Sequence, residues 1–392
     1  MRSGTVEGKM KGMANRIGGM VLAASLLLVA GCDNDNNAAT PAAAESASPT
    51  SSAAASESAE PTGIAETSKT ELEALVEKYG DLGLTDVHNH DASGFQWNRT
   101  AKWERNRVAR VVLFGDVSEP SAVRTDKAAW SAYRKDPERI VPYFSGFDLH
   151  DESSLDVVRD NLEKGYFGLG EIVAASANSP VASKAAWKGL DPMDGYLPRI
   201  YELCAEYKAP ILLHIDPLAG TPLIKLEEAL DAYPDTIIIV GHINAYNSPD
   251  RVEALMEKHP NLYGDFFAGF TDLNPASEYA LSDYVPVIRK FSDRFLLSTD
   301  SGYGLPSEEA AIESMYRVLD LLSDDPAVMK RVARDNYDAI LRAQPATKTQ
   351  LEAIKKLAFP EGGQPEPTHM SKRDAGTILI DAKVDLSENA EE

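Results

Sequence analysis

Eight short runs rich in apolar and β-branched residues recur between residues 84 and 299, and stretches with helical spacing separate them. They are Leu84 to His88, Ala109 to Phe114, Ile140 to Phe147, Phe167 to Val173, Pro210 to Ile215, Thr236 to His242, Leu262 to Phe267 and Arg294 to Thr299. Several are apolar without alternation, as in Ile237-Ile238-Ile239-Val240, the pattern of a strand covered on both faces in a parallel sheet. Between them, apolar residues fall three and four apart, as at Ile200, Leu203, Cys204 and Tyr207, or Leu223, Leu226 and Leu230. Eight strand and helix units in this length predict an α/β protein of the (β/α)8 TIM barrel type, which typically takes about 250 residues. An open doubly wound sheet is the alternative arrangement of the same units.

The two ends of the chain lie outside that alternation. Residues 1 to 16 carry Arg2, Lys9, Lys11 and Arg16 against Glu7, and Ile17 to Ala30 is apolar but short for a membrane span. This is the layout of a secretory signal. It ends Leu28-Val29-Ala30-Gly31-Cys32, which resembles the bacterial lipobox, and the resemblance implies cleavage after residue 31 and acylation of Cys32. The expected location is therefore the bacterial cell envelope, outside the cytoplasm and lipid-anchored. From Asp33 to about Thr67 the sequence is almost entirely Ala, Ser, Pro, Thr, Glu and Asn, so it cannot bury a core. It predicts a disordered tether over 32–69, with a reach of about 30 Å by the square-root rule for flexible chains. The barrel is expected over 70–345, and 346–392 forms a C-terminal extension in which Thr377 to Val384 could add a strand.

Composition narrows the class of partner. The net charge is −22, so no basic face is expected to neutralise phosphates, and nucleic acid is excluded as a partner. With two cysteines in 392 residues, neither a disulfide framework nor a thiolate zinc site can be built. A metal must be held by histidine and carboxylate.

Four of the seven histidines, His88, His90, His214 and His242, stand at the carboxyl ends of predicted strands or just beyond. His88 and His90 are two apart, so both point to one face of the first strand. Strand five ends at His214, strand six at His242, and strand eight runs into Asp300, while Glu171 sits within strand four. In a barrel these ends converge on the face where active sites lie. One such histidine is most simply a hydrogen-bonded structural residue. Several, with two carboxylates, form the nitrogen and oxygen set that suits zinc, manganese or iron(II).

The region from about 80 to 345 resembles the amidohydrolase superfamily, specifically its amidohydrolase-2 type. Asp86-Val87-His88-Asn89-His90 is similar to the first-strand motif, His214 and His242 to the fifth- and sixth-strand histidines, and Ser298-Thr299-Asp300-Ser301 to the eighth-strand aspartate. Asp335-Asn336-Tyr337-Asp338-Ala339-Ile340-Leu341 resembles the closing helix. Glu171 departs from the simplest pattern and resembles the bridging glutamate of TatD-type nucleases. The resemblance implies one or two divalent ions, zinc first among them, held by His88, His90, Glu171, His214, His242 and Asp300. Asp300 and His242 carry the implied catalytic roles, proton transfer and polarisation of a carbonyl.

The expected function is metal-dependent hydrolysis of an amide, ester or lactone bond in a small molecule. Two alternatives stay open: a non-oxidative decarboxylase of the same superfamily, and a lipid-tethered binding protein without turnover. Arg99, Tyr246 and Tyr303, on segments that follow strands, are the candidate substrate contacts, with Lys102 and Asn244 as further polar groups there.

Overall fold

A computed structural model describes residues 69–92, 97–358 and 369–386. The expected signal segment 1–31, nearly all of the tether, Cys32 and the side chain of Arg99 lie outside the described residues. No helix among the described residues is long and apolar enough to cross a membrane.

The eight predicted strands are all present: β1 (Leu84–Asn89), β2 (Val108–Leu113), β3 (Ile140–Phe144), β4 (Gly168–Ser176), β5 (Ile211–Asp216), β6 (Ile238–Val240), β7 (Leu262–Phe267) and β8 (Phe295–Ser298). They pair in chain order, every neighbour parallel, with registers such as Val111 to Ile140, Leu213 to Val240 and Phe267 to Ser298. Helices alternate with them, and the result is a nearly closed (β/α)8 barrel. The continuously apolar runs account for this. Ile211 to Leu213 and Ile238 to Val240 are buried along their whole length, because the barrel interior covers one face and the helical ring the other.

The seam between β8 and β1 is fastened by a side chain. Asp86 accepts hydrogen bonds from the Thr299 amide (2.9 Å) and hydroxyl (2.6 Å), and the Asn89 amide group donates to it at 3.1 Å. Burial pushes its carboxyl up to about 7 against the pull of these hydrogen bonds. The helix Leu197–Tyr207 buries Leu197, Ile200, Tyr201, Leu203 and Cys204, so Cys204 is a core residue, as its helical spacing implies.

The C-terminal extension differs from expectation at one point. Residues Lys372–Asp381 form a helix capped by Ser371, so no strand spans Thr377 to Val384. The short apolar run Ile378-Leu379-Ile380 suits either period, and the buried set Ala375, Gly376 and Leu379 shows the helical one. This helix packs with Lys348–Lys355 against the end of the barrel opposite the strand carboxyl ends. There Gln344 donates to the Phe167 carbonyl (2.8 Å), Thr347 to that of Glu163 (2.6 Å), and Lys372 to that of Tyr166 (3.1 Å).

Candidate metal centre

Strands β1, β4 and β5 and the segments following β1, β6 and β8 bring His88, His90, Glu171, His214, His242 and Asp300 together, all but the fully buried His88 lining one cavity. His88 is the last residue but one of β1 and His90 follows the strand, so the two-residue spacing places both rings together, their Nε2 atoms 2.9 Å apart. The Nδ1 of His90 is 2.7 Å from the Gly115 carbonyl, and that of His88 is 2.8 Å from the Asp265 carboxylate. Both partners only accept, so each Nδ1 carries the proton and each Nε2, in the neutral ring, presents a bare lone pair. His214 is held the opposite way round. Its Nε2 donates to Asp216 at 2.6 Å, leaving Nδ1 bare, 2.9 Å from Glu171 Oε1 and 3.1 Å from His242 Nε2.

Glu171 stands between these groups. Its Oε1 faces His214 and His242 (3.3 Å), and its Oε2 faces His90 (3.4 Å). Asp300 Oδ1 completes the other side, 3.7 Å from His88 Nε2 and 3.9 Å from His90 Nε2. Two triads result, His88 with His90 and Asp300, and Glu171 with His214 and His242, the ligand atoms of each lying within 4.8 Å of one another.

The electrostatics show what this space requires. Burial alone would weaken the basicity of His88, but Asp300, Glu171 and Asp265 outweigh it and push it up to about 10. At His214 burial is likewise overcome by Glu171 and Asp216, again to about 10. Glu171 is held well below the usual carboxylate range: burial opposes this, and His214 and His88 prevail. Lone pairs and carboxylate oxygens packed this closely repel unless positive charge lies among them. Neutral imidazole and carboxylate are also the donors a borderline divalent ion accepts. The residues therefore fit a divalent metal.

Backbone strain marks the same points. His242 (φ 37°), Asp300 (φ 45°) and Ser301 (φ 50°) occupy the left-handed region, which costs a residue with a Cβ on the order of 1 kcal/mol or more. Gly302 (φ 73°) completes the turn, and a Cβ there would meet the Ser307 backbone at 2.8 Å. This turn aims Asp300 into the cavity, and Ser301 secures it by accepting the His90 amide at 2.7 Å.

Residues 86–342, more than half of the chain, match the family model described as Amidohydrolase. The chain belongs to the amidohydrolase family. No curated protein matches its sequence. Among solved structures, this amidohydrolase is similar to a 2,6-dihydroxybenzoate decarboxylase complexed with 2,6-dihydroxybenzoate, with 13% identity and a TM-score of 0.45 over 66% of this chain and 98% of the other. It is also similar to a dihydroxybenzoic acid decarboxylase from Polaromonas sp. JS666 with bound manganese and the inhibitor 2-nitroresorcinol (16%, TM-score 0.43, 71% and 99%). A third is a lactonase from Listeria monocytogenes (16%, TM-score 0.38, 68% and 84%).

Of the expected substrate contacts in this amidohydrolase, Tyr246 and Tyr303 line the cavity. Lys102 does not reach for a substrate: it pairs with Glu308, which also accepts from Trp103 (2.7 Å) and Asn89 (3.1 Å). Asn244 is structural, bonded to the amide (3.0 Å) and carbonyl (2.8 Å) of Phe267. Two carboxylates escaped the sequence argument. Asp265, fully buried on β7, accepts from His88 and from the His242 amide (3.1 Å). Asp216 holds His214 and also accepts from the amides of Ala177 (2.7 Å), Asn178 (2.8 Å) and Ser179 (3.0 Å), tying the segment after β4 to a candidate ligand.

Proposed function

We propose that this amidohydrolase is a metal-dependent hydrolase that cleaves an amide, ester or lactone bond of a small molecule. Its ligands are His88, His90, Glu171, His214, His242 and Asp300. One observation carries the reading: three imidazoles whose protons are fixed by outside acceptors turn bare nitrogens into a space shared with two carboxylates. Zinc suits this set best, with manganese or iron(II) as competitors. The division of Glu171 between His90 and the His214–His242 pair favours two ions with this carboxylate between them.

When bound, a divalent ion supplies Lewis acidity and lowers the pKa of a water from 15.7 to about 7. The rest is the work of the chain. Burial raises the proton affinity of Asp300, although His88 and His242 oppose it, which suits a carboxylate that takes a proton from the attacking water and returns it to the leaving nitrogen or oxygen. His242 Nε2, at the cavity wall, orients the scissile carbonyl if one ion is present and serves as a ligand if there are two. Asp265 and Asp216 keep the two facing imidazoles in the tautomers that leave their inner nitrogens free.

Elemental analysis of the purified protein, followed by assay of lactones, esters and N-acyl compounds with and without chelator, tests the proposal. Chelator-sensitive hydrolysis is expected. Release of CO2 from an unsaturated acid, with no hydrolysis of any member of the panel, would replace it by non-oxidative decarboxylation.

We also propose that Cys32 is acylated and that the barrel works outside the cytoplasm at the end of the 32–69 tether. The lipobox-like residues 28–32 and the low-complexity segment support this. Stable anchoring takes more than one acyl chain. Cys32→Ser is expected to release the protein from membranes or leave the precursor uncleaved, and continued attachment overturns the assignment.

A further inference from the structure

The cavity above the candidate ligands has a volume of about 530 Å³, within the range that holds a drug-sized molecule. Its apolar wall includes Val117, Val181, Leu218, Tyr246, Phe267 and Phe270. Three side chains at this cavity face water instead of protein: Tyr246 is 67% exposed, Val181 54% and Tyr303 52%. Apolar surface left open around a concave site is surface that a ligand covers.

Tyr246 is the most informative of the three. Its backbone lies in the left-handed region at φ 58°, unfavourable for a bulky residue. Its ring stands edge-on to Phe270, centroids 4.9 Å apart at 79°. Core packing does not reward this strain, since the ring remains mostly in water. The strain instead holds an aromatic ledge beside the candidate ligands. Charge at the wall points the same way. Asp116 and Glu119 line the cavity, and the one cation among its non-histidine lining residues, Arg251, has its Nη1 committed to the Leu218 carbonyl at 3.1 Å. Away from the candidate metal ligands the wall carries these two carboxylates against a single guanidinium, a balance that disfavours a substrate anion.

We infer that the substrate group flanking the scissile bond is uncharged and apolar, an aryl or medium-length alkyl chain seated between Val181 and the Tyr246–Phe270 ledge. The position of the scissile bond rests on the hydrolase reading; the apolar subsite does not.

Two measurements test it. In metal-loaded protein, calorimetric titration compares acetohydroxamate, hexanohydroxamate, 3-phenylpropanohydroxamate and the monohydroxamate of succinic acid, which share one chelating head and differ in the tail. At about fourfold per buried methylene, the hexano and phenylpropano compounds are expected to bind at least 30-fold tighter than acetohydroxamate, and the succinyl compound no tighter. In metal-stripped protein, the uncharged fluorophore N-phenyl-1-naphthylamine, which does not depend on the metal, is expected to brighten on binding. Val181→Asp and Phe270→Ala are expected to reduce the tail-dependent gain and the fluorophore affinity at least tenfold while metal content stays the same. Val181 is exposed, so its replacement tests the subsite without disturbing the core. Affinity independent of the tail, preference for the succinyl tail, or fluorophore binding unaffected by both variants overturns the inference. Tail-dependent binding with no hydrolysis of apolar esters, amides or lactones overturns the hydrolase reading and leaves the subsite standing.

Discussion

His88 and His90 turn their Nε2 atoms toward each other at 2.9 Å, while the Nδ1 proton of each is claimed by an acceptor outside the pair, Asp265 in one case and the Gly115 carbonyl in the other. Two bare lone pairs at that distance repel, so either a shared proton or a metal ion lies between them, and the pair is arranged for an ion to take the proton's place. His90→Ala is expected to lower metal affinity more than 100-fold, beyond the 10- to 100-fold typical of outer-shell groups. Metal titration of the stripped protein checks this, and an unchanged affinity removes His90 from the ligand set.

Asp265 acts one step away. Because its Oδ2 serves both the His88 ring and the His242 amide, Asp265→Asn keeps an acceptor there but withdraws the negative charge that strengthens His88 as a donor. A loss of about 10- to 100-fold in metal affinity is expected, with little change in melting temperature. A large fall in thermal stability with intact metal affinity would show that the residue serves the fold alone.

Replacing Glu171 tests the number of ions. If its two oxygens serve both triads, Glu171→Gln lowers the metal content by one equivalent and leaves the ion at His88, His90 and Asp300 in place. Mass spectrometry of the dialysed protein gives the ratio directly. A full complement in the variant sinks the bridging role.

Lys372 gives a dependence on pH that has no connection with the metal. Burial pushes its ammonium from 10.5 down to about 7, with Glu163 opposing. In the unfolded chain the amine stays protonated up to about pH 10.4. Between these values the unfolded state binds more protons than the folded one, so this group makes stability rise with pH, by up to about 1.4 kcal/mol per unit. Below about pH 7 its contribution is flat. Denaturant melts at pH 7.5 and 9 are expected to show that rise in the wild type and to lose it in Lys372→Met; parallel pH profiles for the two proteins would refute it.

The barrel was legible because several strands, covered on both faces, are spelled in uninterrupted apolar runs, and the candidate ligand cluster because His88, His90, His214, His242 and Asp300 stand near or just beyond the carboxyl ends of β1, β5, β6 and β8. Asp216 was equally within reach. It lies two residues beyond His214, on the same face of β5, and the two-residue period that joined His88 to His90 applies there too. Asp265 carried a fainter signal, a lone carboxylate in the apolar run Tyr263-Gly264-Asp265-Phe266-Phe267. Only the position of its neighbours across the barrel reveals that it supports two histidines from other strands. Lys102 and Asn244 misled for the converse reason: polar residues in segments after strands look available, and only the fold shows Glu308 and Phe267 already occupying them.

Asp300 opens a tight left-handed turn and Tyr303, three positions on, follows directly from it. Along that edge, any change that reshapes the mouth also tugs on a candidate ligand, so the two cannot vary independently there. Phe270, whose helix Ala268–Leu273 carries none of the candidate ligands, is where the mouth can change shape while the cluster beneath it stays the same.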